Sequence, residues 1–111
     1  AKAAGAIFVA RSTTFHVVHL KKMLELALKK TGFSVVEVIS QCPTFYGRHQ
    51  GIGDPVQMLE WFRSRSVDVS KVSDPWHLKD KFVIGVLHDQ EEIEPYTQLY
   101  EQVRERVQKE K

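Results

Sequence analysis

The first forty residues constrain the fold most. Ala6-Ile7-Phe8-Val9-Ala10 is a short apolar run after Gly5, suited to a strand buried on both faces. From Val17 onward apolar residues recur at helical spacing, and Phe33-Ser34-Val35-Val36-Glu37-Val38-Ile39-Ser40 is again a strand rich in β-branched residues. Strand, helix and strand joined by short connections predict a right-handed βαβ unit with a parallel strand pair. The predicted strands span about 6–10 and 33–40, and the helix about 16–31. Its stripe is Val17, Leu20, Leu24 and Ala27 or Leu28, with Met23 and Leu26 beside it. Ser12, Thr13 or Thr14 is available as its cap, and Gly32 as its left-handed stop. In open α/β sheets, chemistry collects beyond the carboxyl ends of the strands. Arg11 follows one such end and Cys42 the other.

The rest of the chain reads as α/β as well. Gln50-Gly51-Ile52-Gly53 matches no phosphate-binding fingerprint and is read as a flexible loop. Asp54 as N-cap, Pro55 at the first helical position and Gln57 reaching back predict a helix over 55–65. Val56, Leu59 and Phe62 form its apolar face, flanked by Met58 and Trp61. Residues 67–80 are read as irregular, with one turn at 74–78 anchored by Trp76. A third strand is predicted over 82–88, parallel to the others, with Gly85 marking a bulge or a close contact. A last helix spans about 94–109, striped by Tyr96, Leu99, Tyr100, Val103 and Val107 and ending in a solvated, charged tail.

Composition removes several function classes. One domain is the most that 111 residues support, and 42% apolar and 27% charged residues are ordinary for a globular protein. A net charge of +2, with both signs mixed on helix faces, is no footprint of nucleic-acid binding. No apolar run approaches the 18 or so residues of a membrane span, and the start lacks a signal-peptide layout. The single cysteine excludes an internal disulfide and fits a reducing compartment, hence a cytoplasmic location. Without an initiator Met, the chain is expected to be truncated at its N-terminus.

Titratable residues offer no assembled site. His16 and His19 stand three apart at a helix start, without further ligands at matching spacing, and read as helix-surface histidines. His49, His77 and His88 are scattered. Asp89, Glu91, Glu92 and Glu94 suit a helix N-terminus rather than an acid–base pair. Cys42 is a buried small hydrophobe, an inert loop thiol or a presented sulfur. Pro43 favours the last by biasing Cys42 toward an extended shape. Only Arg48 and His49 are near enough in sequence to activate it as a nucleophile. As a cluster ligand it would need about three thiolates from elsewhere.

One family carries this pattern. Gly5 through Arg11, then Gly32 through Phe45 with Cys42-Pro43-Thr44-Phe45 as the most specific part, resembles the β subunit of 2-oxoacid:ferredoxin oxidoreductases. The likeness continues through Tyr46-Gly47-Arg48, Gly53-Asp54-Pro55 with Met58 and Trp61, Lys81 to Gly85, and Glu94 to Thr97. The Tyr46-Gly47-Arg48 and Gly53-Asp54-Pro55 details look most like the 2-oxoglutarate synthase branch, ahead of pyruvate. The resemblance implies the C-terminal part of a thiamine-diphosphate-binding-type fold, with residues 1–46 closing that domain and 47–111 forming a C-terminal extension. It implies oxidative decarboxylation of a 2-oxoacid to its acyl-CoA, with thiamine diphosphate, Mg2+ and a [4Fe–4S] cluster in the parent enzyme. It implies α and γ/δ subunits, ferredoxin, coenzyme A and the 2-oxoacid as partners, without nucleic acid or membrane. Cys42 matches the family's fourth cluster ligand. The family's Gly-Asp-Gly motif and other three cysteines are not in this sequence. By itself the chain is therefore expected to be inactive, to hold none of these cofactors and to supply no catalytic residue. Partly exposed Phe8, Trp61 or Trp76 is expected to drive self-association. The competing expectation is a non-enzymatic interaction module that kept the fold and lost the cofactor sites.

Overall fold

The computed structural model describes residues 1–73, 78–91 and 93–109. The βαβ unit is present as β1 (Phe8–Thr13), α1 (Val17–Lys29) and β2 (Ser34–Ile39). β1 and β2 pair in parallel, from Phe8 opposite Ser34 to Thr13 opposite Ile39. β1 begins two residues later than expected and runs three further, so Arg11 lies inside the strand rather than beyond it. Beyond β2 come α2 (Pro55–Arg65), β3 (Ser66–Asp68), β4 (Phe82–Asp89) and α3 (Tyr96–Lys109). The four strands form one sheet in the order β2-β1-β4-β3.

Two features of the sheet differ from expectation. The third strand, predicted over 82–88 as a parallel member, runs antiparallel to β1, although β3 pairs with it in parallel. Parallel pairing follows when one crossover helix links two neighbouring strands. Here α2 and β3 intervene, and no local rule sets the direction. β3 falls in the stretch read as irregular, because three residues are too few to show a period. Gly85 makes the expected close contact: its φ is 119°, and a Cβ there would stand 2.9 Å from Val69 Cγ1. The register shift between Val9 and Ala10 leaves Leu87 without an opposite residue, a bulge close by. The predicted turn at 74–78 on Trp76 falls mainly outside the described residues.

Helix phases also shift. Met23 is the buried residue of α1, with Leu26 and Ala27 packed against Ile7, Phe8 and Ala10 of the sheet. Val17 and Leu28, named for the buried stripe, are 66% and 85% exposed. Apolar residues occupy more than half of this helix, so periodicity fixes its type but not which side meets the sheet. No side-chain hydroxyl caps it, and it ends at Lys29, short of Gly32. In α2 the expected Asp54 cap and Pro55 start are both present, with Asp54 Oδ1 accepting from Val56 N. Its buried pair is Met58 and Phe62, whereas Val56 is exposed. Phe8, expected to be partly exposed, is fully buried, and Trp61 is half-buried. α3 matches its predicted stripe but buries none of it.

Candidate functional site

The segment leaving β2 is held at both ends. Thr14 N donates to Ile39 O at 3.0 Å, and Thr14 Oγ1 donates to Gln41 Oε1 at 2.6 Å, so the end of β1 anchors the loop. Cys42 adopts φ −129° and ψ 80°, out of the helical region as the residue before a proline should be. Pro43 then opens a single wide helical turn, Pro43–Gly47, closed by Gly47 N donating to Cys42 O at 2.9 Å. Ile52 N in turn bonds Gly47 O at 2.8 Å. Gly47 is buried because the turn presses against Ile52 and Met58 Sδ, and a Cβ would meet both within 3 Å.

This geometry presents the thiol. Cys42 is exposed. The Tyr46 and then the Phe45 backbone N–H groups, with a smaller contribution from the Thr44 hydroxyl, hold its pKa below the usual thiol range. Oriented donors therefore favour the thiolate, the form that ligates metals. The sulfur faces a groove of about 290 Å³ lined by Ile39, Ser40, Tyr46, Met58, Trp61, Phe62 and Phe82. Trp61 meets Tyr46, Phe62 and Phe82 at ring-centroid distances of 5.1 to 6.0 Å. A larger groove of about 520 Å³ lies across Tyr46, Trp61 and Phe82, lined also by Arg65 and Lys81, and Cys42 takes no part in it.

The other candidates do not join the thiol. Arg11 is spent on Glu37, its register partner in β2. His49 packs its ring against Phe45 at 4.9 Å. Asp89 pairs with Lys30 at 2.6 Å, and Glu94 accepts from Gln102. His16 and His19 do more than decorate a helix surface: their Nδ1 atoms each lie 2.8 Å from a buried hydroxyl, Thr13 Oγ1 and Ser12 Oγ respectively. The sequence signal is two hydroxyl residues at a strand end followed by two histidines, and the hydroxyls bond the imidazoles instead of capping the helix. Among the described residues no group of three or more His, Cys, Asp or Glu side chains is placed to hold a metal.

As a site, then, the loop offers one exposed thiol on a hydrogen-bonded turn beside an aromatic groove. That suits one ligand of a thiolate-bound cluster. No family model and no solved structure matches the chain. It is 35% identical over 107 residues to a 2-oxoglutarate synthase subunit KorB from Methanothermobacter marburgensis, covering 95% of this chain and 38% of that one. With the KorB subunit of Methanocaldococcus jannaschii the identity is 37% over 100 residues, 88% of this chain and 37% of the relative. A 2-oxoacid:ferredoxin oxidoreductase β subunit from Sulfolobus matches at 29% over 70 residues, 63% of this chain and 20% of its own. The chain spans little more than a third of the curated relatives it matches, 38% and 37% of the two KorB subunits. Over most of its length the chain is thus similar in sequence to the β subunits of the 2-oxoacid:ferredoxin oxidoreductases.

Proposed function

We propose that this chain is part of a β subunit in an enzyme that oxidatively decarboxylates a 2-oxoacid to its acyl-CoA and passes the electrons to ferredoxin. The likeness to 2-oxoglutarate synthase subunits favours 2-oxoglutarate over pyruvate. Residues 1–46 then close the thiamine-diphosphate-type domain, and 47–111 form an extension that lends β3 and β4 to the same sheet. Cys42 supplies one thiolate of a [4Fe–4S] cluster. The observation that carries this reading is an exposed thiol, fixed by Pro43 and biased toward thiolate by the turn behind it.

Within that assignment each local residue has a physical role. Pro43 sets the direction of the sulfur, and the Tyr46 and Phe45 amides stabilise charge on it. Phe45, 71% exposed, and the groove rings around Trp61 supply apolar surface beside the turn. When bound, such a cluster supplies single-electron transfer at a potential tuned by these hydrogen bonds and by solvent access. Thiamine diphosphate and Mg2+ find no matching residues here and belong to the remainder of the enzyme, as do the α and γ/δ partners and coenzyme A.

The test uses the full polypeptide containing this stretch, assembled with its partner subunits and reconstituted anaerobically with iron and sulfide. Cys42→Ser is expected to abolish or strongly alter the [4Fe–4S] electron paramagnetic signal while the subunits still assemble. An unchanged signal and unchanged ferredoxin reduction would show that Cys42 is not a ligand. A second reading, a non-enzymatic module, is favoured by the lack of further thiolates. A start codon adjacent to Ala1 would support it, and an upstream frame encoding Gly-Asp-Gly and three cysteines would exclude it.

A further inference from the structure

Two fully buried hydroxyls at the end of β1 each meet an imidazole at the start of α1. Thr13 Oγ1 lies 2.8 Å from His16 Nδ1, and Ser12 Oγ lies 2.8 Å from His19 Nδ1. Among the described residues the ring nitrogen is the hydrogen-bond partner of each hydroxyl. A hydroxyl proton that is cut off from water needs an acceptor, so the hydroxyl donates and Nδ1 accepts. Each ring is then neutral, with its own proton on Nε2. A second proton on Nδ1 would face the hydroxyl proton. The hydroxyl would have to turn, leaving a buried donor without a partner. The helix opposes the charge as well, because His16 is the N-cap of α1 and His19 lies in its first turn, at the positive end of the dipole. Neighbouring charges do not offset this for His16. Lys22 shares the open groove with both rings, the Asp68 carboxylate of β3 acts on His19 instead, and Arg11 and Glu37 on the sheet satisfy each other.

The turn that these rings close also grips the Cys42 loop. His16 N donates to Thr13 O at 3.1 Å, and Thr14 lies inside the turn so formed. Thr14 gives its N–H to Ile39 O at 3.0 Å and its hydroxyl to Gln41 Oε1 at 2.6 Å, one residue before Cys42. Once the ring lets go of Thr13, the main-chain bond alone closes that turn. We propose that the Thr13–His16 pair is a proton-operated latch on the Cys42 loop: the neutral ring locks the turn that holds Ile39 and Gln41, and the protonated ring swings to solvent and frees it. Acid then releases the presented sulfur before the sheet comes apart. The purpose of the latch rests on the reading of Cys42 as a presented ligand, but its operation involves no cluster, so either can fail alone.

Nuclear magnetic resonance of the isotope-labelled, metal-free chain tests it between about pH 8 and pH 5. At the upper end the His16 ring nitrogens should show the tautomer protonated on Nε2. As pH falls below 6.5, the amide signals of Thr14, Gln41 and Cys42 should move with the midpoint of the His16 ring. Hydrogen-exchange protection should drop about tenfold at Thr14 and Gly47, and hold at Met23 and Ala27 in α1. His16→Gln keeps a carbonyl that can accept the Thr13 hydroxyl but does not titrate, and is expected to leave signals and protection flat. Thr13→Val has no hydroxyl to strand, and should bring the midpoint of the His16 ring back toward 6.5. If that variant does not fold, the tautomer and His16→Gln still decide the matter. A proton on Nδ1 in the neutral ring overturns the proposal, as do loop signals that ignore the ring or that still titrate in His16→Gln. So does protection lost at Met23 together with Thr14, which makes the event general unfolding. An unchanged cluster signal in Cys42→Ser, by contrast, removes the ligand assignment and leaves the latch standing.

Discussion

At Gly47 a Cβ would stand 2.7 Å from the Ile52 carbonyl oxygen and 2.9 Å from Met58 Sδ. The methionine can swing aside, but the carbonyl is main chain of a residue whose N–H is bonded to Gly47 O. Gly47→Ala is therefore expected to cost about 1–3 kcal/mol, read as a lower denaturation midpoint at unchanged slope. It should also raise the thiol pKa of Cys42, because the turn that aims the Tyr46 and Phe45 amides would open. His16 sets a second residue-scale expectation. Burial first, and the nearby His19 second, hold its pKa below the ordinary 6.5. The fold thus prefers the neutral ring while the unfolded chain binds a proton from pH 6.5 downward. Stability is fully present above that pH and falls as pH drops through it toward the lower folded value. Denaturation midpoints should decline across that window, and His16→Gln should flatten the decline. Asp68, held below the usual carboxylate range by the Ser70 hydroxyl and backbone, loses its contribution only below about pH 3.8 and is separable.

Among the elements, α1 shows how a correct period can carry the wrong phase. Its buried contacts run through Met23, Leu26 and Ala27, and the side bearing Val17, Leu24 and Leu28 faces solvent. Met23→Ala is expected to destabilise the chain by about 2–4 kcal/mol, and Leu28→Ala to stay within roughly 0.5 kcal/mol. Chemical denaturation of both variants checks it, and the reverse order would place the other side of α1 on the sheet. α2 repeats the lesson in its face and reverses it at its start. The Asp54 cap and Pro55 were readable because capping is a contact between residues two apart, a property of sequence neighbours. Which of Val56 or Met58 is buried depends on where Phe82 and the Cys42 turn come to rest.

The whole molecule is extended for its length. Its radius of gyration is 19.0 Å and its extents are 65 × 33 × 25 Å, against about 13 Å for a compact chain of 100 residues. The excess comes with α3, which buries nothing, and the sheet edges are left half-exposed along β2. Such a chain keeps a small core around β1, α1 and the Met58–Phe62 pair, and leaves much apolar surface for other protein. From the residues alone came the βαβ unit, the α2 cap, the close approach at Gly85 and the singled-out Cys42. All of these rest on local chemistry: side-chain period, a cap within two residues, a proline acting on its predecessor. Tertiary structure alone decided the antiparallel setting of β4, the existence of β3, the phases of α1 and α2, and the two hydroxyl–imidazole pairs. Those depend on which distant segments meet. No window of sequence carries that information, because the free energy that selects it is shared among residues far apart in the chain.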